Sequence, residues 1–408
     1  MIPLTNPDRR RPVTRWSRFR GPTVAGRASG GGLLVEPSTL VRGHDEPAAE
    51  MRSAGRSRGR WGRPESRPPL VPGDRLGEYR LLERLGHGGQ GDVYKAIRGG
   101  AGYGLVALKV LRPSLARDPA RMAQFHREAE RGGRLAGPAL LPVSDRGIEN
   151  GYHFMVMPYI EGITMRGVIR ARAARLAGQP VEDSHRLVEL DESRYVHAML
   201  GILAGAAECL ARVHGQRVAH RDVKPANILL DDGRPEAVYL CDFGLGRDLE
   251  VATLQQMRDG AGTPMYMAPE RLLRAPADEI RCDIYSLGVT IFEALTLCRP
   301  FRVPEHITLA ALPAFLAVAR PRRPGEVRPG FPDDLEAVIL AAIDRDPARR
   351  PESAGWLATE LRRIEARLSS PGTRALIDKG HPIVPRGPHA AILTWGAEGE
   401  STCASHPA

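Results

Sequence analysis

The chain has 408 residues, of which 42% are hydrophobic and 26% are charged, enough to form two or three ordinary domains or one large bilobal domain with tails. No segment approaches the roughly 18 consecutive apolar residues of a membrane span, and the N-terminus lacks the apolar stretch of a secretory signal. Five scattered cysteines, never in a C-x-x-C pair, disfavour a disulfide framework or a zinc site, so we expect a cytoplasmic protein.

The formal net charge of +10 is concentrated in residues 1–70, which contain 14 arginines and six acidic residues. Residues 1–75 are rich in Arg, Gly, Pro and Ser without apolar periodicity, so we predict a disordered arm and linker. Contact of this arm with nucleic acid or an anionic membrane is the alternative, but its few aromatic residues favour a solvated tail. Met51 offers a second start site, which leaves open whether residues 1–50 belong to the native protein.

A compact domain is predicted to begin near Gly77 with a small sheet. Alternating apolar and polar residues predict three strands, at 79–85, 93–97 and 105–111. A helix is predicted over 121–135, where Met122, Phe125 and Ala129 recur at helical spacing.

The sequence becomes mainly helical from about residue 195 onward. Helices are predicted at 195–215, 283–296, 333–343 and 353–368. Ser353 is a candidate N-cap for the last of them. Residues 369–408 are predicted to be a short flexible tail.

A glycine-rich turn joins the first two predicted strands. Gly86, Gly88 and Gly91 match the pattern G-x-G-x-x-G, which alone is a weak signal in a chain with 44 glycines. Its place between two strands disfavours a dinucleotide fold, in which a helix would follow the turn. It favours a hairpin whose bare amides lie over phosphates.

Lysine is rare in this chain, with four lysines among 58 cationic residues. A position that keeps Lys is therefore a candidate for chemistry that a planar guanidinium cannot perform. Lys109 lies on the third predicted strand, on the same face as Ala107, where its ammonium group could reach phosphate oxygens. Glu128, on the predicted helix, can form an ion pair with it. The plain alternative is that both are surface charges.

The segment HRDVKPAN, residues 220–227, carries the most specific pattern. His220, Arg221, Asp222, Lys224 and Asn227 occupy five of its eight positions, a coincidence expected in fewer than roughly one in ten thousand chains. Asp242-Phe243-Gly244 follows 20 residues after the aspartate, and Ala268-Pro269-Glu270 comes later.

These motifs, in this order and spacing, resemble the eukaryotic-like (Hanks-type) serine/threonine protein kinases over about residues 77–366. The resemblance implies an α+β, bilobal protein-kinase fold. An N-lobe and hinge over 76–160 would hold an antiparallel sheet plus the C helix, and 161–368 would form a mainly helical C-lobe. ATP would bind between the lobes.

The same resemblance assigns roles to the polar residues. Asp222 would orient the acceptor hydroxyl and take its proton, and Lys224 would neutralise charge on the γ-phosphoryl group. Asn227 and Asp242 would hold Mg²⁺ or Mn²⁺ ions that bridge the phosphates. Because Lys224 stands two residues after Asp222, the resemblance implies serine/threonine rather than tyrosine substrates, and autophosphorylation is expected.

A candidate adenine site surrounds the predicted hinge at 158–160. By resemblance, Met157 lies at the back of the pocket, Pro158 contributes a carbonyl group and Ile160 an N–H group. Four further apolar residues could sandwich the base, namely Leu85, Val93, Ala107 and Leu229. For each of these four, ordinary core packing is the alternative.

Other matches to the family concern stability and regulation. Glu270 and Arg350 resemble a buried ion pair of the C-lobe, and Asp283 resembles the residue that braces the catalytic loop. Arg221 implies control by phosphorylation of the activation segment, with Thr253 as the regulatory candidate and Thr263 as a substrate-docking residue.

An insertion near 165–193 has no assigned role, and an extended charged helix is its plain interpretation. A pseudokinase scaffold that binds nucleotide or partners without turnover is the main rival function, and a small-molecule phosphotransferase is another. The complete set of catalytic residues favours an active protein kinase. The physiological substrate, the activating signal and the oligomeric state are not predicted by the sequence.

Overall fold

The computed structural model describes residues 68–87, 91–99, 104–134, 137, 140–181, 185–234, 237–242, 263–304, 307–308 and 311–369. Several predictions concern residues outside these ranges, namely Gly88, Phe243, Gly244, Thr253, the first 67 residues of the arm and the tail from 370 onward. The side chain of Thr263 also lies outside the description. For these residues the expectations stay predictions.

The N-terminal part of the domain is a six-stranded antiparallel sheet with the order β1-β2-β3-β4-β6-β5. Its strands are β1 (Arg75–Leu76), β2 (Tyr79–His87), β3 (Gly91–Arg98), β4 (Leu105–Leu111), β5 (Asp145–Glu149) and β6 (Tyr152–Pro158). The three strands predicted from alternation are confirmed as β2, β3 and β4. The other three lie in segments for which no strand was predicted.

The two faces of this sheet are both covered by apolar side chains. One face buries a cluster that includes Tyr79, Tyr94, Leu108 and Phe154. On the other face, helix α1 (Pro119–Arg134) packs Phe125 against the sheet with Leu111 and Met155. Successive side chains of a strand point to opposite faces, so Leu108 and Lys109 on β4 face opposite sides of the sheet.

The chain before the sheet is attached to the face that carries Tyr94. The Tyr94 hydroxyl donates to the carbonyl oxygen of Leu70 at 3.0 Å. The Tyr152 hydroxyl donates to that of Pro68 at 2.7 Å. Residues from Pro68 onward are therefore part of the folded unit, upstream of the domain boundary expected at residue 76.

The C-terminal part is mainly helical, as expected, with one small sheet. The strands β7 (Gly162–Thr164), β8 (Ile228–Asp231) and β9 (Val238–Leu240) form a three-stranded antiparallel sheet. The helices are α2 (Met165–Leu176), α3 (Arg186–Glu189), α4 (Glu192–Gly215), α5 (Pro269–Leu272), α6 (Glu279–Thr296), α7 (Leu312–Val318), α8 (Pro324–Val327), α9 (Asp333–Ala342) and α10 (Ala354–Leu368). Short 3-10 turns cover Pro225–Asn227, Thr263–Tyr266 and Pro347–Arg349.

Helix α6 runs through the centre of this lobe, with every residue from Cys282 to Thr296 buried. Its first turn is capped by Asp278, whose carboxylate accepts from Ile280 N at 2.9 Å. The predicted cap of the last helix is confirmed, since Ser353 Oγ accepts from Trp356 N at 3.1 Å. Helix α6 is therefore a buried and capped core element of this lobe.

The insertion near 165–193 is packed into the lobe, so its interpretation as one extended charged helix is wrong. Helix α2 ends at Leu176 and buries Val168, Ile169 and Arg172. The guanidinium group of Arg172 lies 3.9 Å from the centre of the Tyr195 ring and 2.8 Å from Glu192 Oε2. A buried cation that is stacked and paired in this way fixes the segment to the start of α4.

Among the described residues, α4 is the one helix long and apolar enough to cross a membrane by length and composition alone. Of its apolar window, 61% is buried inside the protein. This is the pattern of a core helix in a folded domain, so the helix is weak evidence for a membrane span.

Candidate active site

Lys109 is the centre of the candidate site. Its ammonium group lies 2.7 Å from Glu128 Oε1 and 2.9 Å from Asp242 Oδ1, and the residue is 5% exposed. Burial opposes the charge of the ammonium, but the two carboxylates outweigh burial and raise the pKa of Lys109. The side chain is therefore a fixed positive charge between the two lobes.

The two partners of Lys109 belong to different lobes of the domain. Glu128 lies on α1, three residues after Phe125, whose ring fixes the helix against the sheet. Asp242 follows β9 and has a left-handed backbone with φ of 56°. Burial raises the pKa of Asp242, but the charge and hydrogen bond of Lys109 outweigh it, so the net pKa is lowered and the group stays a carboxylate.

Asp283 on α6 holds the backbone of the predicted catalytic loop, residues 220–227. Its carboxylate accepts hydrogen bonds from His220 N at 2.6 Å and from Arg221 N at 2.7 Å. His214 Nε2 lies 2.9 Å from the same group. Because Asp283 is buried in the centre of the lobe, its hydrogen bonds fix the backbone before Asp222 relative to α6.

His220 links the two loops that carry Asp222 and Asp242. Its Nδ1 accepts from Asp222 N at 3.3 Å, and its Nε2 donates to the carbonyl oxygen of Cys241 at 3.1 Å. Burial lowers the pKa of His220, in agreement with a neutral ring. The sequence singled out this histidine as part of a motif but gave it no role.

Asp222, Lys224 and Asn227 form one hydrogen-bonded group. Lys224 Nζ donates to Asp222 Oδ2 at 2.8 Å, and Asn227 Nδ2 donates to Asp222 O at 2.8 Å. Both acceptors of the Asn227 amide are oxygens, so its nitrogen must face Asp222. Its amide oxygen is then the atom that a cation would use.

The donor set fits a hard divalent cation held together with phosphates. Asn227 and Asp242 offer an amide oxygen and a carboxylate, and Cys241 N donates to Asn227 O at 3.0 Å, which ties their two loops together. In the described part of the chain, no group of three or more His, Cys, Asp or Glu side chains is arranged to hold a metal. Two protein oxygens suit Mg²⁺, which takes its other ligands from water and phosphate.

The four apolar residues expected around adenine do not belong to the buried cores of the two lobes. Leu85 is 42% exposed, and Val93, Ala107 and Leu229 are partly exposed. Their neighbours on the opposite faces, such as Tyr94, Leu108 and Leu230, are buried. Ordinary core packing therefore does not explain these four positions, and their place around adenine stays a prediction.

The candidate hinge residues lie at the end of β6 and just after it, next to β4. Ala107 pairs with Met157 and Val106 with Pro158 across β4 and β6. Met157 is buried, Pro158 is exposed and Ile160 is partly exposed. Met157 is thus on the buried side of this segment, whereas Pro158 and Ile160 are accessible to solvent.

The glycine-rich hairpin joins β2 and β3 with its ends in register. His87 pairs with Asp92 across the hairpin, and His87 Nδ1 lies 2.5 Å from Asp92 Oδ1. A Cβ atom at Gly91 would lie 2.0 Å from the carbonyl oxygen of Val110, whereas one at Gly86 would meet nothing within 4 Å. Gly91 is thus required by the close approach of two strands, and Gly86 leaves open space.

The C-lobe ion pair lies behind the site. Arg350 Nη1 and Nη2 lie 2.7 and 2.8 Å from the two carboxylate oxygens of Glu270, and the Arg350 side chain is fully buried. Cys282 Sγ donates to the same carboxylate at 3.1 Å. The Arg350 hydrogen bonds and charge outweigh the burial that would raise the pKa of Glu270, so its pKa is lowered.

One polar residue near the catalytic loop escaped the sequence analysis. Arg271, on α5, donates through Nη1 to the carbonyl oxygen of Arg221 at 3.0 Å. No pattern separates it from the other arginines of an arginine-rich chain. Its position directly after the Ala268-Pro269-Glu270 motif is the only signal that could have indicated it.

Comparisons with known proteins agree with this geometry. The sequence profile described as protein kinase domain matches residues 79–361. The serine/threonine-protein kinase PknD of Mycobacterium tuberculosis is 35% identical over 329 residues, covering 80% of this chain and 44% of that protein. PknH and PknE of the same organism are 33% and 32% identical over 70% of this chain.

A solved structure supports the same fold. The crystal structure of the Mycobacterium tuberculosis PknI kinase domain matches with a TM-score of 0.52 and 28% sequence identity. The match covers 72% of this chain and 99% of that domain. The chain spans less than half the length of the curated relatives, between 42% and 46% of each.

Proposed function

This chain belongs to the protein kinase family, and from that premise we propose that it is an ATP-dependent serine/threonine protein kinase that also phosphorylates itself. The observation that carries the proposal is the contact of Lys109 with both Glu128 and Asp242. These three charges meet from β4, α1 and the loop after β9, and a structural ion pair alone would not need residues from both lobes.

The family implies the use of ATP and a divalent metal, and the residues of this chain fit both. The adenine would lie between Leu85, Val93 and Ala107 above and Leu229 below, with the Pro158 carbonyl and the Ile160 N–H at its edge. Asn227 and Asp242 would hold Mg²⁺ or Mn²⁺. The metal would supply positive charge against the phosphates, which spread negative charge as the phosphoryl group transfers.

The chemical step needs a base and a cation beside the transferring group. Asp222 accepts the proton of the acceptor hydroxyl, whose oxygen forms a bond to the γ-phosphorus while the bond from that phosphorus to the ADP oxygen breaks. Lys224, 2.8 Å from Asp222, stays near the transferring group and offsets its charge. The Lys109 ammonium orients the phosphates that remain on ADP.

Protein serine and threonine hydroxyls are the proposed acceptors. The support is Lys224 at two residues after Asp222, together with relatives that are named serine/threonine-protein kinases. A cytoplasmic location belongs to the same proposal. Its support is that Cys209, Cys241, Cys282 and Cys298 are all free thiols, as a reducing compartment would keep them.

The experiment is a labelling assay of the purified full chain with γ-labelled ATP and Mg²⁺ or Mn²⁺. We expect label on Ser or Thr of the chain and of a generic basic protein substrate. The isosteric variant Asp222→Asn, which keeps the shape of the loop, should bind nucleotide but transfer no label. A wild-type chain that binds ATP without any transfer would be the pseudokinase, and the proposal would fail.

A further inference from the structure

The residue before the catalytic aspartate is held by hydrogen bonds on both sides of its backbone. The N–H of Arg221 donates to Asp283 Oδ1 at 2.7 Å, and its carbonyl oxygen accepts from Arg271 Nη1 at 3.0 Å. Arg221 itself has a left-handed backbone with φ of 68°. A non-glycine residue in this region is strained and persists only where its surroundings hold it.

Arg271 lies in a cluster of charges at the start of α6. Its side chain is 10% exposed, and its Nε lies 3.6 Å from Glu279 Oε2. The same carboxylate oxygen lies 3.3 Å from Arg221 Nε. Glu279 therefore attracts both guanidinium groups by its charge, although its Oε2 accepts a hydrogen bond from neither of them.

Helix α5, which carries Arg271, is anchored to the C-lobe independently of the catalytic loop. The preceding residue, Glu270, is locked by the buried ion pair with Arg350. The turn Thr263–Tyr266 leads directly into this helix, and Met267 N donates to Pro264 O at 3.2 Å. Arg271 thus joins α5 to the backbone of residue 221.

We propose that Arg271 is a positioning residue for phosphoryl transfer, which clamps the Arg221 carbonyl and so sets the orientation of the neighbouring Asp222. The inference rests on the proposed kinase activity. In this proposal Arg271 acts through the peptide between Arg221 and Asp222, to whose carbonyl oxygen it donates. Without the clamp, that peptide would keep the 3.3 Å hydrogen bond from Asp222 N to His220 Nδ1 but lose the one that holds its carbonyl oxygen, and a misplacement of about 1 Å at a reacting group can cost about 100-fold in rate.

The test compares three variants of the full chain. Arg271→Met removes the donor and keeps most of the aliphatic stem, and Arg271→Lys keeps a cation. The matched control is Arg281→Met, because Arg281 also donates to backbone carbonyls, those of Arg350 and Pro351, but away from the catalytic loop. Both Met variants are expected to lower the melting temperature by a similar amount.

We expect Arg271→Met to lower kcat by about 10- to 100-fold while KM for ATP changes by less than about twofold. Arg271→Lys should recover part of kcat, and Arg281→Met should keep it. A structural role alone would reduce kcat equally in the two Met variants, or in neither once the folded fractions are matched. Either result would overturn the proposal.

Amide hydrogen exchange gives a second readout that does not need activity. The amides of residues 220–222 should exchange faster in Arg271→Met than in wild type and stay protected in Arg281→Met. If the wild-type chain transfers no phosphoryl group, the proposed function fails, and exchange alone then decides whether the clamp exists. Unchanged exchange in Arg271→Met would rule the clamp out.

Discussion

Lys109 and Asp242 are 133 positions apart in the chain, yet Lys109 Nζ lies 2.9 Å from Asp242 Oδ1. One residue lies on a strand of the N-lobe sheet and the other follows the small sheet of the C-lobe. A third group, Glu128, completes the cluster from α1. The contact joins the N-lobe sheet, α1 and the loop after β9 through one ammonium group.

Lys109→Met should abolish autophosphorylation and lower the stability of the N-lobe. The variant removes the cation that orients phosphates, and it breaks a buried ion pair with Glu128, which typically costs about 3 to 5 kcal/mol. Labelling with γ-labelled ATP and urea unfolding measure the two effects. Arg98→Met, on the neighbouring strand, breaks an exposed pair with Glu78, is the control and should stay within about twofold of wild-type activity. Full activity in Lys109→Met would contradict the assignment.

The two described glycines of the hairpin should respond differently to alanine. In Gly91→Ala, the new Cβ would meet the Val110 carbonyl at 2.0 Å, so the strands must separate and the melting temperature should fall by several degrees. In Gly86→Ala the Cβ meets nothing within 4 Å, so the melting temperature should stay the same. This Cβ atom would lie next to the expected position of the ATP phosphates, so Gly86→Ala should raise KM for ATP. Equal melting temperatures for the two variants would refute this distinction.

Glu270→Gln should destabilise the C-lobe by about 3 to 5 kcal/mol, because it leaves the guanidinium group of Arg350 buried without its carboxylate. Arg350→Met should cost a similar amount, and the double variant less than the sum of the two. Denaturant unfolding measures each value. The exposed pair of Arg362 and Glu208 is the control, and Arg362→Met should cost less than about 1 kcal/mol. Additive losses at the buried pair would show that the two residues do not interact.

Acid should weaken the attachment of α1 through His126. Its Nε2 lies 3.0 Å from His153 Nδ1 on β6, and burial together with the charge of Arg146 on β5 lowers the pKa of His126. The folded state therefore favours the neutral ring, while the unfolded chain takes up a proton near pH 6.5. The free energy of unfolding should fall as the pH drops below about 6.5, by at most about 1.4 kcal/mol per pH unit for this group.

The variant His126→Gln should flatten this dependence between pH 7 and pH 5.5. The pKa values of His185 and His220 are also lowered by burial, but both residues titrate in wild type and variant alike. The difference between the two unfolding curves thus reports the contribution of the pair formed by His126 and His153. Parallel curves would exclude a contribution from this residue.

The sequence predicted the fold class through the order and spacing of its motifs, and alternation predicted β2 to β4. The roles of Asp222, Lys224 and Asn227 stay predictions, although the structure brings the three side chains together in one hydrogen-bonded group. The role of Arg271 could not be predicted, because its partner is a backbone carbonyl 50 positions away and an acceptor of this kind leaves no mark on the sequence. The shape of the insertion was missed for a similar reason, since Arg172 counts as a surface charge until Tyr195 covers it.

The hydroxyl groups of Tyr94 and Tyr152 define where a recombinant fragment of this protein can begin. Both rings belong to the N-lobe sheet, and both hydroxyls reach back to carbonyl groups at Leu70 and Pro68. An expression plasmid that starts at residue 76 would delete these two acceptors and the apolar cover that Leu70 gives the sheet. Crystallisation and inhibitor screening should therefore use fragments that start upstream of Pro68.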